Sequence, residues 1–193
     1  MKKRKYIYWA SGIGLLLVII IFFSIYTSYF QSNRIPIQSN KQRPSHSMQY
    51  LENINKFLHE KDKERINSFI ERRGWEMSTT ESGLWYQIEE KGDGQDINIG
   101  DYVKLDYEMR LLDGDLLYSS RKDGKKVVQV GKGKNIKGLH EGLQLLNEGD
   151  IARFIIPPHL AYGLIGDGER VPAKAILYYK LEVLEVAGTK IQP

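Results

Sequence analysis

Residues 102–109, YVKLDYEM, alternate apolar and polar side chains with the period of two that is typical of a half-buried β-strand. The apolar members, Val103, Leu105, Tyr107 and Met109, would share one face of that strand. Shorter apolar runs, separated by turns that contain Gly, Asp or Asn, lie at 84–88, 116–118, 127–130, 151–156 and 175–186. The pattern predicts five or six antiparallel strands.

One helical pattern interrupts these strands. In residues 139–146, LHEGLQLL, the apolar side chains fall at i, i+4, i+6 and i+7, close to one face of a helix. A helix this short is marginal alone, so we expect Leu139, Leu143 and Leu146 to lie on the sheet. The predicted fold class is α+β, with an antiparallel five- to six-stranded sheet wrapped on one short helix.

A longer amphipathic helix is predicted before the sheet, within a helical segment 48–74. Ser47 is a suitable N-cap, and Gly74 fits the position just after the last turn. The apolar stripe comprises Leu51, Ile54, Leu58, Ile66, Phe69 and Ile70. The pattern is typical of a solvated helix with one packed face, and dimerisation or partner binding through this helix is the alternative. The sequence does not fix the oligomeric state.

The N-terminal region has the features of a membrane anchor. Residues 1–5 contain four basic side chains, and no charged residue occurs from Tyr6 to Asn33. About 20 apolar residues suffice to cross the hydrocarbon, so we predict a transmembrane anchor at 6–30. Residues 31–47 are polar, contain two prolines and show no periodicity, which predicts a linker. A tail is assigned to 189–193. A cleaved signal peptide is the alternative, although no Ala-x-Ala site follows. The basic cluster favours the cytoplasmic side, which predicts a single-pass inner-membrane protein with its C-terminal domain in the periplasm.

The charge and composition exclude several classes of site. The net charge of +4 equals the contribution of Lys2, Lys3, Arg4 and Lys5, and the rest of the chain has 24 basic and 24 acidic residues. A nucleic-acid surface would need a basic patch in the folded part, so no nucleic-acid partner is expected. The chain has no cysteine and its four histidines lack metal-ligand spacing. We therefore expect no metal and no cofactor.

The segment from about Gly83 to Val186 resembles the FKBP-type peptidyl-prolyl cis-trans isomerases. The resemblance depends on short motifs in order and at the right spacings, since each alone is weak. These motifs are Gly100-Asp101-x-Val103, Leu105-x-Tyr107, Leu112-Asp113-Gly114, Ser119-Ser120, Val130-Gly131, Ile136-Lys137-Gly138-Leu139, Gly149-Asp150, Ile156-Pro157, Ala161-Tyr162-Gly163 and Val171-Pro172. The preceding stretch GWEMSTTESGLWY is similar to the gliding-motility-associated subgroup. The resemblance implies an isomerase domain at 75–188 that acts on proline-containing polypeptides.

The resemblance also assigns the residues of an apolar cup for the proline ring. Three positions are implied as catalytic: a wall aromatic, a backbone N–H donor and a hydroxyl donor, which are Tyr107, Ile136 and Tyr162 respectively. Further positions are implied to contact the substrate: Leu117, Tyr118, Leu139, Val171 and Tyr179. Leu139 stands where the family most often has tryptophan as the floor of the cup.

Two departures from the family pattern favour altered or weakened catalysis. The family commonly has Phe-Asp where this chain has Leu117-Tyr118, so an acidic side chain is missing from the cup. The loop after Tyr162 reads LIGDGER and places charge where some members have apolar contacts. Two functions therefore stay open: a prolyl isomerase that assists the folding of exported proteins, and a weakly active or inactive binding module or chaperone for periplasmic clients.

Overall fold

The computed structural model describes residues 20–29 and 46–188. The chain divides into two compact units, Met1–Gln49 and Tyr50–Pro193, and in the first unit residues 20–29 are helical with exposed side chains. No helix in the described ranges is long and apolar enough to cross a membrane. Most of the predicted anchor (6–19 and 30), most of the linker and the C-terminal tail lie outside the described residues.

Within residues 46–188, seven strands form one antiparallel sheet. Their bounds are β1 (Ser78–Thr79), β2 (Trp85–Glu90), β3 (Tyr102–Leu111), β4 (Leu116–Ser119), β5 (Lys126–Gln129), β6 (Ile151–Ile156) and β7 (Leu177–Ala187). Their order in the sheet is β1-β2-β6-β7-β3-β4, with β5 also paired to β3. The prediction of five or six strands was one short, because it omitted the two-residue β1. The two central strands β3 and β7 pair over the whole length of β3.

The buried face of β3 is the one that the sequence predicts. Val103, Leu105, Tyr107 and Met109 are buried, and the residues between them are half-buried. The predicted Asp113-Gly114 turn joins β3 to β4, where Gly114 has a φ of 107°.

Three α-helices accompany the sheet within residues 46–188, where the sequence predicted two. Their bounds are α1 (His46–Glu71), α2 (Ser120–Asp123) and α3 (Lys137–Leu143), and a 3₁₀ turn follows at Pro158–Leu160. The single turn α2 was not predicted. The helix α3 begins two residues before the predicted start at Leu139, because Ile136 is its N-cap and the Ile136 carbonyl accepts the N–H of Leu139 at 3.1 Å.

Helix α1 ends in a Schellman motif and packs on the sheet through its last turns. Gly74 has a φ of 63°, its N–H donates to Glu71, and the Trp75 N–H donates to Ile70, which confirms Gly74 as the residue after the helix. Ile66 and Phe69 are buried in a cluster with Trp85, Ile155 and Ile176. The predicted stripe is therefore packed only in its second half, since Leu51 and Ile54 are exposed, and Ser47 lies inside the helix rather than before it.

Helix α3 approaches the sheet closely because two glycines face it. An ideal Cβ on Gly138 would lie 2.5 Å from Cγ2 of Ile156, and one on Gly142 would lie 2.6 Å from Cε2 of Phe154. Both contacts are shorter than van der Waals packing allows. The two missing side chains therefore set the distance between α3 and strand β6.

A Gly142→Ala variant is expected to unfold more easily, even though alanine is the better helix former. The Phe154 ring is fully buried, so overpacking costs about 1–3 kcal/mol, against about 1 kcal/mol gained in helix propensity. Thermal unfolding measures the effect, with Gly188→Ala as the control because a Cβ there meets nothing within 4 Å. A Gly142→Ala variant at least as stable as the parent would contradict the close approach of helix and sheet.

Candidate functional site

The predicted wall and floor residues come together in one apolar cluster between α3 and the sheet. Tyr107 comes from β3, Ile136 and Leu139 from the start of α3, and Tyr179 from β7, while Val171 ends the loop after Tyr162. The rings of Tyr107 and Tyr179 stack with centroids 6.3 Å apart. This arrangement follows from the pairing of β3 with β7, which places both tyrosines on the face that α3 covers.

The remaining three predicted residues, Leu117, Tyr118 and Tyr162, are half-buried and pack against this cluster. Leu139 and Tyr179 expose only 0% and 1% of their surface. These two residues therefore support the site from beneath, and a ligand would meet mainly the half-buried side chains above them. As the floor of the cup, Leu139 therefore offers a ligand less contact surface than the tryptophan that is most common in the family would offer.

Two hydrogen-bond donors border the apolar cluster without an acceptor. Within the described ranges, neither the N–H of Ile136 nor the hydroxyl of Tyr162 has a partner. The Ile136 N–H precedes the first turn of α3, where helix geometry leaves the early N–H groups unpaired. Both donors are the ones that the family resemblance assigns to substrate carbonyls.

The tyrosines of the site are hydrogen-bond donors at neutral pH. Burial, followed by the charge of Asp167, raises the pKa of Tyr162, and burial, followed by the charge of Asp123, raises the pKa of Tyr107. Burial also holds the pKa of Tyr179 well above its usual value. The three hydroxyls therefore stay protonated, which is the state that can stabilise a carbonyl oxygen.

Residues 163–171, which we call the Asp167 loop, are organised by one carboxylate. Oδ1 of Asp167 accepts the N–H groups of Glu169, Arg170 and Val171 at 2.9, 2.9 and 2.8 Å. Oδ2 accepts the hydroxyl of Tyr118 at 2.7 Å. Burial alone would raise the pKa of Asp167, but these hydrogen bonds outweigh burial and lower the pKa.

The site therefore contains an acidic side chain, Asp167, although the sequence has Tyr118 at the position of the missing acid. The family commonly has an aspartate at that position, whereas here the Tyr118 side chain reaches the carboxylate of Asp167 on the facing loop. The hydrogen bond to Asp167 raises the pKa of Tyr118. Sequence reasoning missed this pairing because the charges of LIGDGER gave no sign of which of them faces inward.

Arg170 is a second residue that sequence reasoning missed. Its guanidinium lies 4.4 Å from the centroid of the Tyr118 ring, and it donates to the Leu117 carbonyl at 3.0 Å and to Oδ1 of Asp123 at 2.8 Å. The N–H of Ser119 donates to Asp123, and this bond and the Arg170 contact lower the pKa of Asp123. The Asp167 loop is thus fixed to β4 and α2 by two side chains.

The glycine-rich segment before Ile136 is hydrogen-bonded to His140 of α3. The N–H of Gly131 donates to Nδ1 of His140 at 3.1 Å, and Gly131 has a φ of 74°. Burial lowers the pKa of His140, which favours the neutral ring that this hydrogen bond requires. The segment before Ile136 is therefore anchored at one end.

A cavity of about 450 Å³ lies outside this cluster, between α1 and the start of the Asp167 loop. Its walls include Leu58, His59 and Asp62 from α1, facing His159 and Leu164. The rings of His59 and His159 stack at 4.4 Å. No group of three or more metal-ligating side chains occurs within residues 20–29 and 46–188.

Comparison with known proteins finds a family model that matches the residues containing this site. Residues 94–184 match the model of the family described as FKBP-type peptidyl-prolyl cis-trans isomerase. A probable FKBP-type isomerase of Haemophilus influenzae is 40% identical over 114 residues, covering 59% of this chain and 47% of that protein. A probable FkpA of Neisseria meningitidis serogroup B is 34% identical, covering 68% of this chain and 49% of that protein. The chain thus spans about half the length of these curated relatives.

Solved structures agree with the fold. The crystal structure of FkpA from Escherichia coli superposes with a TM-score of 0.59 at 25% identity, covering 89% of this chain and 71% of that chain. The crystal structure of AtFKBP13 gives a TM-score of 0.55 at 28% identity, covering 58% of this chain and 100% of that chain.

Proposed function

We propose, from the match of residues 94–184 to the family of FKBP-type peptidyl-prolyl cis-trans isomerases, that this chain isomerises X–Pro bonds in polypeptides. The observation that carries the proposal is the apolar cluster bordered by two donors, the Ile136 N–H and the Tyr162 hydroxyl, that have no acceptor among the described residues. The mechanism needs no nucleophile and no covalent intermediate.

The reaction asks for a particular environment. Amide resonance sets a barrier of about 18–20 kcal/mol to rotation, and an uncatalysed X–Pro bond takes tens of seconds or longer to turn. An apolar site disfavours the polar planar amide, and fixed donors hold the flanking carbonyls while one side of the bond rotates. Every 1.36 kcal/mol removed from the barrier gives a tenfold increase in rate.

The residues of the site divide this work. Tyr107, Val171 and the half-buried Leu117 offer apolar surface to the proline ring. Ile136 holds one substrate carbonyl through its N–H, and Tyr162 donates to another through its hydroxyl. A prolyl-peptide turnover assay on the full chain tests the proposal, and turnover at the background rate by folded protein would reject it.

A Tyr162→Phe variant is expected to lower kcat/KM while leaving the fold unchanged. The change removes one hydrogen bond that contributes about 0.5–1.5 kcal/mol, which corresponds to a roughly two- to tenfold loss. The control is Tyr178→Phe, because Tyr178 is also half-buried but packs against the separate cluster that contains Ile66 and Phe69 of α1. Equal turnover by the parent and Tyr162→Phe would remove Tyr162 from the mechanism.

A binding module or chaperone is the second candidate function. It is favoured by exposed apolar side chains on α1, including Leu51, Ile54 and Phe57, and by the lack of exposed surface on Leu139. Suppression of client aggregation that survives in Tyr162→Phe at full strength would support holding of partners without catalysis.

We also propose that residues 6–30 anchor the chain in the inner membrane and place the domain at 75–188 in the periplasm, where it assists the folding of exported proteins. The charge-free stretch and the basic residues 2–5 support this arrangement. The proposal includes assignment of the chain to the gliding-motility-associated subgroup, because residues 74–86 resemble that subgroup. Membrane fractionation and protease accessibility of the intact cell envelope test it, and a chain found only in the cytoplasm would refute it.

A further inference from the structure

We propose that Asp167 is a positioning residue for the isomerase site: through the hydroxyl of Tyr118 it holds the Asp167 loop, and with it Tyr162 and Val171, against the opposite wall. This inference rests on the proposed isomerase function. It assigns a role to two residues, Tyr118 and Asp167, that depart from the family pattern described above.

The Asp167 side chain fixes the shape of the loop. One oxygen of Asp167 accepts three consecutive N–H groups, of which the last belongs to the wall residue Val171 at 2.8 Å. The Asp167 N–H donates back to the Val171 carbonyl at 3.2 Å, and the Gly166 N–H donates to the Tyr162 carbonyl at 3.3 Å. Asp167 thus bonds the Val171 backbone directly, and the preceding residue Gly166 bonds the backbone of Tyr162.

A hydrogen bond between Tyr118 and Asp167 crosses the site. The other oxygen of Asp167 accepts the Tyr118 hydroxyl at 2.7 Å, whereas Glu169 lies farther from the same hydroxyl, at 3.3 Å. A hydroxyl has one proton to donate, and the shorter distance assigns that proton to Asp167. Since Tyr118 lies in β4 and Tyr162 precedes the loop, this bond links the two sides of the apolar cluster.

The Tyr118 ring is supported by Arg170. Arg170 lies over the ring at 4.4 Å while its Nη1 donates to Leu117 and Asp123. The ring is therefore oriented by a contact that does not use its hydroxyl. Removal of the hydroxyl alone should leave the ring in place and break only the bond to Asp167.

Two substitutions separate the bond from the shape of the loop. Tyr118→Phe removes the hydroxyl and keeps the ring under Arg170. Asp167→Asn keeps one oxygen for the three N–H groups and replaces the oxygen that faces Tyr118 by an amide NH₂. The matched control is Asp113→Asn, since Asp113 accepts a single N–H, from Asp115 at 3.2 Å, in the exposed β3–β4 turn.

Each of the two variants is expected to lower the kcat/KM of the full chain about two- to tenfold, mainly through KM, because the wall contacts the proline in the ground state and the transition state alike. The double variant should be no slower than the slower single variant, because both changes remove the same bond, from the Tyr118 hydroxyl to the Asp167 carboxylate. Amide exchange should become faster within residues 163–171 in both variants, and Asp113→Asn should match the parent in both measurements.

The possible failures are distinct. Background turnover by the parent chain would reject the isomerase function and this inference with it. An active parent combined with unchanged KM and unchanged exchange in Tyr118→Phe would reject the inference alone. Losses that add in the double variant would also reject it, because they would show that Tyr118 and Asp167 act separately.

Discussion

A Gly166→Ala variant is expected to lose more than about tenfold in turnover and to unfold at a lower temperature, whereas Gly168→Ala keeps most of its activity. The two glycines have nearly the same backbone, with φ of 82° and 81°. Alanine at either position costs about 1–2 kcal/mol for its left-handed conformation. Only at Gly166 would the Cβ also meet backbone, since it would lie 2.1 Å from the Val171 carbonyl oxygen.

The larger effect at Gly166 follows from what that backbone contact holds. To make room for a methyl group, Val171 must move away from Gly166, and the hydrogen bond from the Asp167 N–H to the Val171 carbonyl must break. Val171 is a wall residue of the site, so a loss of more than about tenfold, which is more than about 1.36 kcal/mol of transition-state stabilisation, is expected. Equal turnover and equal melting temperatures for the two variants would contradict the close approach within the loop.

An Asp150→Ala variant is expected to lose at least about 3 kcal/mol of stability, because two hydrogen bonds to a charged group contribute about 1.5–3 kcal/mol each. The Asp150 side chain is fully buried and accepts the N–H of Gly92 at 2.7 Å and of Asn147 at 2.8 Å. The substitution leaves both donors unpaired. For a chain of this size the melting temperature should fall by about 6–12 °C.

A matched control for Asp150 exists in the same chain. The sequence N-x-G-D occurs twice, at 98–101 and 147–150, and in both turns the first N–H donates to the aspartate at 2.8 Å. The contact to Asp101 is exposed, so water can replace it in Asp101→Ala, which should cost less than about 1 kcal/mol. Similar losses for both variants would show that burial does not decide the role of Asp150.

The sequence predicted the parts of the fold that depend on local periodicity. The alternation from Tyr102 to Met109 predicted the buried face of β3, and Gly74 predicted the end of α1, because each signal lies within a few residues of the feature that it specifies. The two-residue β1 carries too few residues to show a period. Only the second half of α1 is packed, and this depends on where the sheet ends. The apolar pattern of the helix alone does not contain that information.

The same division applies to the site. Its eight predicted residues are brought together, because the motifs that carry the family resemblance fix their places on β3, β4, α3, β7 and the segment from Tyr162 to Val171. The pairing of Tyr118 with Asp167 spans 49 residues, and it depends on the course of a glycine-rich loop. Glycine accepts many backbone conformations, so the letters of that loop do not determine which carboxylate turns inward.

The two glycines on the sheet-facing side of α3 have a consequence for the evolution of substrate preference. Because the helix rests directly on the sheet, any side chain larger than hydrogen at Gly138 or Gly142 would lift its first turn. That turn begins at Ile136, so the donor meant for the substrate would shift although no residue facing the substrate had changed. A homologue could therefore alter the size of peptide that it accepts through mutations on the hidden side of one helix.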